Sequence, residues 1–462
     1  MSRVAGIAAL QPQAATPLKE LARDVVKRAL AAGATDAECT IAEGDEFSAA
    51  VRMCEIESLK EAGSRGAGLR ILIGKRTGSS STSDLSREGI ERLVKSAIEL
   101  ASITTEDPHA GLPDPEELGS VAGDLRLYSP DVEQLETSFK IETARRAEDA
   151  ALSADPRIVN SEGASFDTYT GRHIFANSRG FAGEYRSSYC SVGVAPVARD
   201  GKSMERDSWY SQAQAYTGLE PAEQVGREAA RRALRRLNPT RVRTQKAPVV
   251  FEPRVARSLL DSVYQAVHGM SIYRFESFLA GKLGEKVASE NLSVIDDGTL
   301  PGLFGTSPFD DEGVPSRRTV VINRGVLSSY LLNTYAARKL GMKTTGNASR
   351  SLAGNPGIGH GNFFVEEGVQ SADQIIAAIP SGFYVTELLG FGVNIVTGDY
   401  SRGAAGLWIR NGELAFAVSE VTIAGNLKEM LLGVEAVGSD LEFRGALAAP
   451  TIKIGEMTIA GG

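Results

Sequence analysis

The chain has 462 residues, 42% hydrophobic and 23% charged, with 50 basic against 58 acidic residues and a net charge of −8. That length exceeds one ordinary core and predicts two or three domains. The composition excludes a disordered or collagen-like polymer, and the acidic balance excludes whole-molecule attraction for nucleic acid. Cys39, Cys54 and Cys190 cannot all pair within the chain and lack zinc-ribbon spacing, which fits a reducing cytoplasm. Met1 to Ala15 shows no charged-then-apolar leader pattern, and no apolar run approaches the ~18 residues that cross a bilayer. A soluble cytoplasmic protein without membrane contact is expected.

The first element is a helix with Thr16 as N-cap and Pro17 at its first position. Leu18, Leu21, Ala22, Val25, Ala29 and Leu30 share one face, and Gly33 closes it. Ala37 to Thr82 alternates like a strand meander punctuated by Gly63, Gly66, Gly68, Gly74 and Gly78. A helix over 86–103 carries Ile90, Leu93, Val94, Ala97, Ile98 and Ala101 on its apolar stripe. A proline- and glycine-rich connector fills 104–127. The order then repeats: a helix over 132–154, strands over 158–215 with a hairpin turn at Asn177-Ser178-Arg179-Gly180, and a helix over 221–237. Helix, meander, helix occurs twice, as an old duplication would leave it.

Asn238-Pro239 marks a boundary, because proline ends helices and moves the residue before it away from the helical region. From Pro248 onward the chain is strand-dominated, with helices only over 255–267, 330–340 and 372–378. The fold class is therefore α+β: a helix and strand-meander region, its repeat consistent with duplication, divided into an N-terminal domain at 1–126 and a central domain at 127–240, and a β-rich C-terminal domain at 241–462. Across the second boundary runs the most basic stretch: Arg227, Arg231, Arg232, Arg235, Arg236, Arg241, Arg243 and Lys246. Positions 227, 231 and 235 make a helical stripe. A solvated face or an interface with an acidic partner explains it better than phosphate contacts.

Chemistry-bearing motifs are sparse. The histidines are His109, His173, His268 and His360, no two closer than 64 residues, so neither HExxH nor HExxxH exists. His268, before Gly269, reads as structural or cap-related. His360 lies in the glycine-rich Gly357-Ile358-Gly359-His360-Gly361, which lacks the strand, helix and Lys-Ser/Thr pair of a phosphate loop and reads as a flexible surface loop. Asp296-Asp297-Gly298 and Asp310-Asp311-Glu312-Gly313 are explained by turns. No GxSxG elbow exists, and Ser401 has no candidate base beside it.

The densest stretch is Gly398-Asp399-Tyr400-Ser401-Arg402-Gly403-Ala404-Ala405-Gly406-Leu407-Trp408, continued by Ile423-Ala424-Gly425-Asn426-Leu427. So many small residues beside an Asp/Arg pair predict a tight turn with a polar pocket, or a close interface. The stretch resembles the signature of the TldD/PmbA family, also called modulators of DNA gyrase, and most closely its PmbA, or TldE, branch. Thr306-Ser307-Pro308-Phe309-Asp310-Asp311-Glu312-Gly313-Val314, Leu331 to Gly341, and Val385-Thr386-Glu387-Leu388-Leu389-Gly390 resemble it too. The match is strong over 240–462 and looser before.

The resemblance implies a metalloprotease family whose TldD branch holds zinc through HExxxH and a C-terminal Cys. Here Ser258-Leu259-Leu260 resembles the segment before those histidines, which places Asp261, Ser262 and Ala266 at the vacated metal positions. Nothing after Cys190 is Cys. This chain is then expected to hold no metal or cofactor and to carry no catalytic residue. It would pair with a TldD-like zinc-bearing subunit, and Asp399, Tyr400, Ser401, Arg402 and Gly403 would contact an unfolded peptide or the partner. Self-association into a homodimer is expected when the chain is alone. The alternative is a non-proteolytic regulator that binds gyrase or a toxin–antitoxin component. A third reading, an enzyme acting alone, would need Asp399 with Ser401.

Overall fold

The computed structural model describes residues 17–461. The expected Thr16 cap and the Met1–Ala15 segment lie outside the described residues. Helix α1 (Leu18–Ala31) starts after Pro17, which occupies the cap position itself, and Gly33 ends it at φ +106. Strands β1 (Asp36–Arg52), β2 (Glu55–Ile73) and β3 (Arg76–Thr82) follow, then α2 (Arg87–Ile103), whose Ser86 cap accepts from the Gly89 N–H. Beyond the connector come α3 (Pro130–Glu133), α4 (Thr137–Leu152), β4 (Ile158–Asn177), β5 (Ala182–Asp200), β6 (Ser203–Arg206), β7 (Trp209–Ala213) and α5 (Ala222–Leu234).

The two helix–meander–helix units are halves of one antiparallel sheet, ordered β3-β2-β1-β4-β5-β6, with β7 also on β5. They join where β1 runs against β4 from Glu38↔Asn177 to Val51↔Ala164. Each half has its own core. Val25, Ile41, Leu69, Ile90 and Leu93 fill the space under α1 and α2, and Phe166, Val192, Val225 and Ala229 fill that under α4 and α5. In both, a glycine lets a helix come close. A Cβ on Gly78 would stand 2.2 Å from the Ala97 carbonyl oxygen, and one on Gly226 2.2 Å from that of Ala147.

The expectation that glycines punctuate the meander holds at Gly74, between β2 and β3, and fails at the other four, Gly78 lying inside β3. Gly63, Gly66 and Gly68 lie inside β2 and turn nothing. The reversal from β1 to β2 is made by Met53 and Cys54 at φ +50 and +62, a hairpin turn without glycine. Buried Glu148 of α4 holds this tip, accepting from the Met53 N–H at 3.0 Å and the Cys54 N–H at 2.6 Å. Among the described residues only β1 pairs with residues 55–65 of β2, and nearly all of them are exposed.

The C-terminal half contains β8 (Gln245–Phe251), α6 (Pro253–Val267), α7 (Gly269–Tyr273), β9 (Val294–Asp297), β10 (Arg318–Asn323), β11 (Val326–Leu327) and α8 (Thr334–Leu340). Next come β12 (Ala348–Ser349), β13 (Gly357–Ile358), β14 (Asn362–Val365), α9 (Ala372–Ala377), β15 (Ser381–Leu389), β16 (Asp399–Arg410) and β17 (Glu413–Asn426). The last elements are α10 (Leu427–Leu432), β18 (Val434–Val437), β19 (Leu447–Ala448) and β20 (Ile452–Ala460). The order β17-β16-β15-β8-β20-β18 has an extra pairing of β17 with β20, so five strands close into a ring. A second sheet, β11-β10-β9-β14-β19, shares with that ring and α6 the largest apolar core, around Phe251, Leu259, Val263, Phe363, Phe383 and Ile423. The architecture is α+β, as the sequence implies.

The halves are locked by charge. Arg350 and Arg70 both donate to buried Glu38, at 2.6 and 2.8 Å. The strap containing Arg350 crosses β2 so tightly that a Cβ on Gly68 would fall 1.5 Å from the Leu352 carbonyl oxygen.

Candidate functional site

Helix α6 begins at Pro253, suited to a helix start because its missing N–H would have no partner there. Val255, Ala256, Leu259, Leu260, Val263, Ala266 and Val267 recur at helical spacing and are buried. The three positions matched to the family's metal helix do not converge. Asp261 faces outward. Ser262 is buried, with its hydroxyl donating to the Ser258 carbonyl at 3.1 Å. Ala266 is fully buried and has no side-chain donor atom, while its carbonyl accepts from Ser277 Oγ at 2.6 Å. This donor set does not fit a zinc ion: one carboxylate points away and the other two positions offer an engaged hydroxyl and a methyl. Among the described residues no three His, Cys, Asp or Glu side chains are placed to hold a metal ion.

The partly exposed face of α6 carries Tyr264, one turn before His268 and 4.8 Å from the His360 ring, edge to face. Its hydroxyl donates to the Ile358 carbonyl at 2.7 Å, and burial pushes its pKa up to about 12. His268 sits at the junction of α6 and α7, in the N-cap position of α7 but without a side-chain capping hydrogen bond. His360 departs from the surface-loop expectation, because it packs against both Tyr264 and Phe363. Its Nδ1 meets the Gly361 carbonyl at 2.7 Å, which makes Nδ1 the donor and leaves Nε2 as an acceptor. Burial holds its pKa below the usual imidazole value, opposed by the Gly361 contact and then by the charge of Asp261.

His360 also lines a polar cavity of about 220 Å³ between the two halves, with Asp296, Asp310, Asp311, Asn347 and the rings of Tyr185 and Phe309. Asp296, at the end of β9, accepts from the Gly361 N–H and from Asn347 Nδ2, both at 2.7 Å. Burial pushes its pKa up to about 7. Asp310 accepts from three backbone amides, of Glu312, Val314 and Ala348. Burial raises both Asp310 and Glu312, and their mutual repulsion raises Asp310 further. Asp310-Asp311 lies in a turn, as expected, whereas Asp296 and Asp297 are the last residues of β9 and Asp297 opens the turn that follows, accepting from the Thr299 N–H; Asp296, Asp310 and Asp311 line the cavity. Chemically, the cavity offers a neutral imidazole nitrogen and a carboxyl that titrates near neutrality. The clue in the sequence was the acidic pairs and the glycines flanking His360, which permit close backbone approach.

The signature forms strand β16 instead of a tight turn. Its small residues serve close approach within the chain: a Cβ on Gly406 would stand 2.0 Å from the Tyr384 carbonyl oxygen. Along 399–402 the free side of the strand is covered by the preceding loop. The Ser401 N–H donates to the Gly392 carbonyl at 2.7 Å, and the Asn394 N–H to that of Asp399 at 2.8 Å. Asp399 accepts from Thr397 Oγ1 at 2.6 Å and from Asn426 Nδ2 at 3.2 Å. Arg402 donates to the Leu389 carbonyl, and Gly403 pairs with Leu389 and Thr422. Tyr400 points into the core, only 2% exposed, and its hydroxyl has no partner among the described residues. These five residues thus share one strand but no one pocket. In the covering loop Phe391 is 98% exposed, and Phe275, three residues before Phe278, whose N–H donates to the Ile395 carbonyl of that loop, is 76% exposed.

The basic run is mostly paired inside the molecule. Arg232 and Arg235 grip buried Glu252, Arg236 reaches Glu205 and Glu387, and Arg231 pairs with Glu228. The pairs to Glu252 and Glu387 clamp the end of α5 to the C-terminal half.

Ring, second sheet and strapped N-terminal sheet together define a fold shared with metallopeptidase relatives. The PmbA/TldA metallopeptidase domain 1 matches residues 37–101, the central domain 130–237 and the C-terminal domain 244–461. The metalloprotease PmbA of Escherichia coli O157:H7 is 39% identical over 94% of both chains. The metalloprotease PmbA homologue of Haemophilus influenzae is 34% identical over 96% of both. A solved structure from Bacteroides thetaiotaomicron, of a proposed modulator of DNA gyrase, superposes with a TM-score of 0.89 at 29% identity, over 96% of this chain and 99% of that one. TldE from Thermococcus kodakarensis shares the fold, with a TM-score of 0.86 at 22% identity over 96% of this chain and all of that one (100%). The chain belongs to the PmbA/TldD family. No helix among the described residues is long and apolar enough to cross a membrane.

Proposed function

We propose that this chain is the PmbA/TldE-type subunit of a cytosolic two-chain metalloprotease, with zinc and the hydrolytic groups supplied by a TldD-type partner. One observation carries the reading: the metal-helix positions hold an outward Asp261, an engaged Ser262 and a methyl at Ala266, so the helix offers no ligand set. The substrate class is unfolded peptide. The bare edge of β2 at 55–65 supports that class, since an extended chain can add to an unpaired strand through main-chain hydrogen bonds without side-chain readout. The exposed Phe391, in the loop that covers the signature strand, and Phe275 suit contact with the partner.

The test is metal content and peptide cleavage, measured on the chain alone and after mixing with a TldD-type subunit. Expected are well under one-tenth of a zinc per chain and cleavage only in the mixture. About one zinc per chain, or cleavage by the chain alone, overturns the reading. A regulator that binds gyrase or a toxin–antitoxin component would draw on the basic run, but most of those arginines already have carboxylate partners within the chain.

A further inference from the structure

A second cavity, of about 80 Å³, opens where the central strands meet the start of α6, and its lining is unlike that of any acidic site above. Arg232, Arg254, Arg257 and Arg444 line it together with Trp209, Pro253 and two carboxylates, Glu252 and Glu442. Three of their guanidinium groups gather on the indole, at 4.1 Å for Arg444, 5.2 Å for Arg232 and 5.6 Å for Arg254. The neighbouring carboxylates are largely engaged. Both oxygens of Glu252 serve Arg232 and Arg235. Glu220 and Glu442 each meet Arg444 Nη2 at 2.7 Å, and Asp207 lies 3.3 Å from Arg232 Nε and 3.6 Å from Arg254 Nη1.

Arg257 remains. It has no carboxylate within 4.0 Å among the described residues; its Nη1 donates to Tyr210 Oη at 3.2 Å and its Nε to the Arg254 carbonyl at 3.4 Å. The Nε of Arg444, on a side chain only 10% exposed, is buried and has no hydrogen-bond partner among the described residues. Arg254 is held below its ordinary pKa, first by burial and then by the charge of Arg232. Arg257 is half-buried; a guanidinium partly out of water without its counter-charge is costly, and the unmade hydrogen bond of buried Arg444 adds to that cost.

We propose that this cavity binds one carboxylate group, held by Arg254, Arg257 and the unpartnered Nε of Arg444 beside Trp209. The forked, planar donors of arginine match a carboxylate with two parallel hydrogen bonds. The volume admits a head group of a few atoms, and the single unpaired guanidinium calls for one negative charge, not two. The carboxylate can belong to a small organic acid or to the C-terminus of a peptide. The inference requires neither zinc nor a second chain, so it stands or falls apart from the subunit reading.

The test uses the full chain, with acetate, propionate and chloride at matched ionic strength, read by calorimetric titration and thermal unfolding. Saturable binding of the carboxylates, with a rise in Tm that chloride does not give, is expected. Arg257→Met should weaken that binding about tenfold or more, and Arg257→Lys should restore part of it. Should Arg257→Met not fold, Arg257→Lys against the wild type still decides, because lysine loses the forked geometry. A Tm rise equal in acetate and chloride, or affinity unchanged in Arg257→Lys and Arg257→Met alike, overturns the proposal. A tripeptide with a free C-terminus and its amide distinguish the sources. Preference for the free acid assigns a peptide end, and binding of acetate with neither peptide assigns a small acid.

Discussion

Strands β2 and β16 are both rich in glycine, yet they live in opposite surroundings. In β16 the glycines sit where another backbone presses close: Gly406 lies under the Tyr384 carbonyl, and Gly392 of the covering loop lies under that of Ser401. Strand β2 divides in two. At Gly68 the strap from the C-terminal half touches the backbone, while from 55 to 65 the strand stands in water with Glu55, Glu57, Lys60, Glu61 and Arg65 along it. Glycine in a strand therefore marks close approach only where a second segment arrives. A charged strand marks an edge protected from indiscriminate pairing, and so available for a specific one.

The sharpest way to break this comparison is to add one methyl group at two glycines of the same strand. Gly68→Ala places a Cβ 1.5 Å from the Leu352 carbonyl oxygen, so the strap must lift. A loss of about 3 kcal/mol or more is expected from denaturant unfolding. Gly63→Ala meets only the Asp45 carboxylate at 3.1 Å, the end of a side chain that can move, and should stay within about 0.5 kcal/mol. Equal losses at the two positions would mean that the strap does not rest on β2.

The covered half also buries acid, whereas Glu55, Glu57 and Glu61 lie in water. Burial raises Asp296 from 3.8 to about 7, so the folded chain binds that proton more tightly than the unfolded chain does. The stability this gives is full below about pH 4 and is lost as pH rises through 7. Compared with Asp296→Asn, the wild type should therefore lose stability between pH 4 and 8, by on the order of a few kcal/mol. Parallel pH profiles for the two proteins would remove Asp296 from the buried acids.

What could be read from the sequence follows the range of the interaction. The stripes of α1 and α2, the Gly33 stop and the turn at 177–180 depend on residues within a few positions of one another, and the structure places them as expected except that Leu30 of α1 is exposed and Val26 is buried in its stead. The turn at Met53-Cys54 has no glycine or asparagine to announce it, and it is held by Glu148, more than ninety residues away. The basic run looked like a solvated stripe because its partners, Glu252 and Glu387, belong to another part of the chain. Likewise, nothing local to His360 shows Tyr264 beneath it. The signature segment was recognisable as a family feature, but its place as a covered strand depends on a loop whose carbonyls meet it.

Two smaller perturbations sharpen what the bare end of β2 is for. Glu148→Ala removes both acceptors of the hairpin tip and leaves two amides to find water, for a loss of about 1–3 kcal/mol. Because the tip lies where β1 turns into the bare edge, faster amide exchange over 50–60 should accompany that loss. Leu59→Ser should change stability least, within about 0.5 kcal/mol, since Leu59 is exposed and belongs to no core cluster. If the edge receives an extended chain through its backbone alone, Leu59→Ser should also leave peptide processing by the partnered complex nearly unchanged. A proline at position 59 or 60, in contrast, removes one backbone donor and should lower processing. Run as a pair, the serine and one proline on the free-edge register separate recognition by side chain from recognition by main chain. Loss of processing in Leu59→Ser with intact stability would show that this strand is read through its side chains, as a protein interface is.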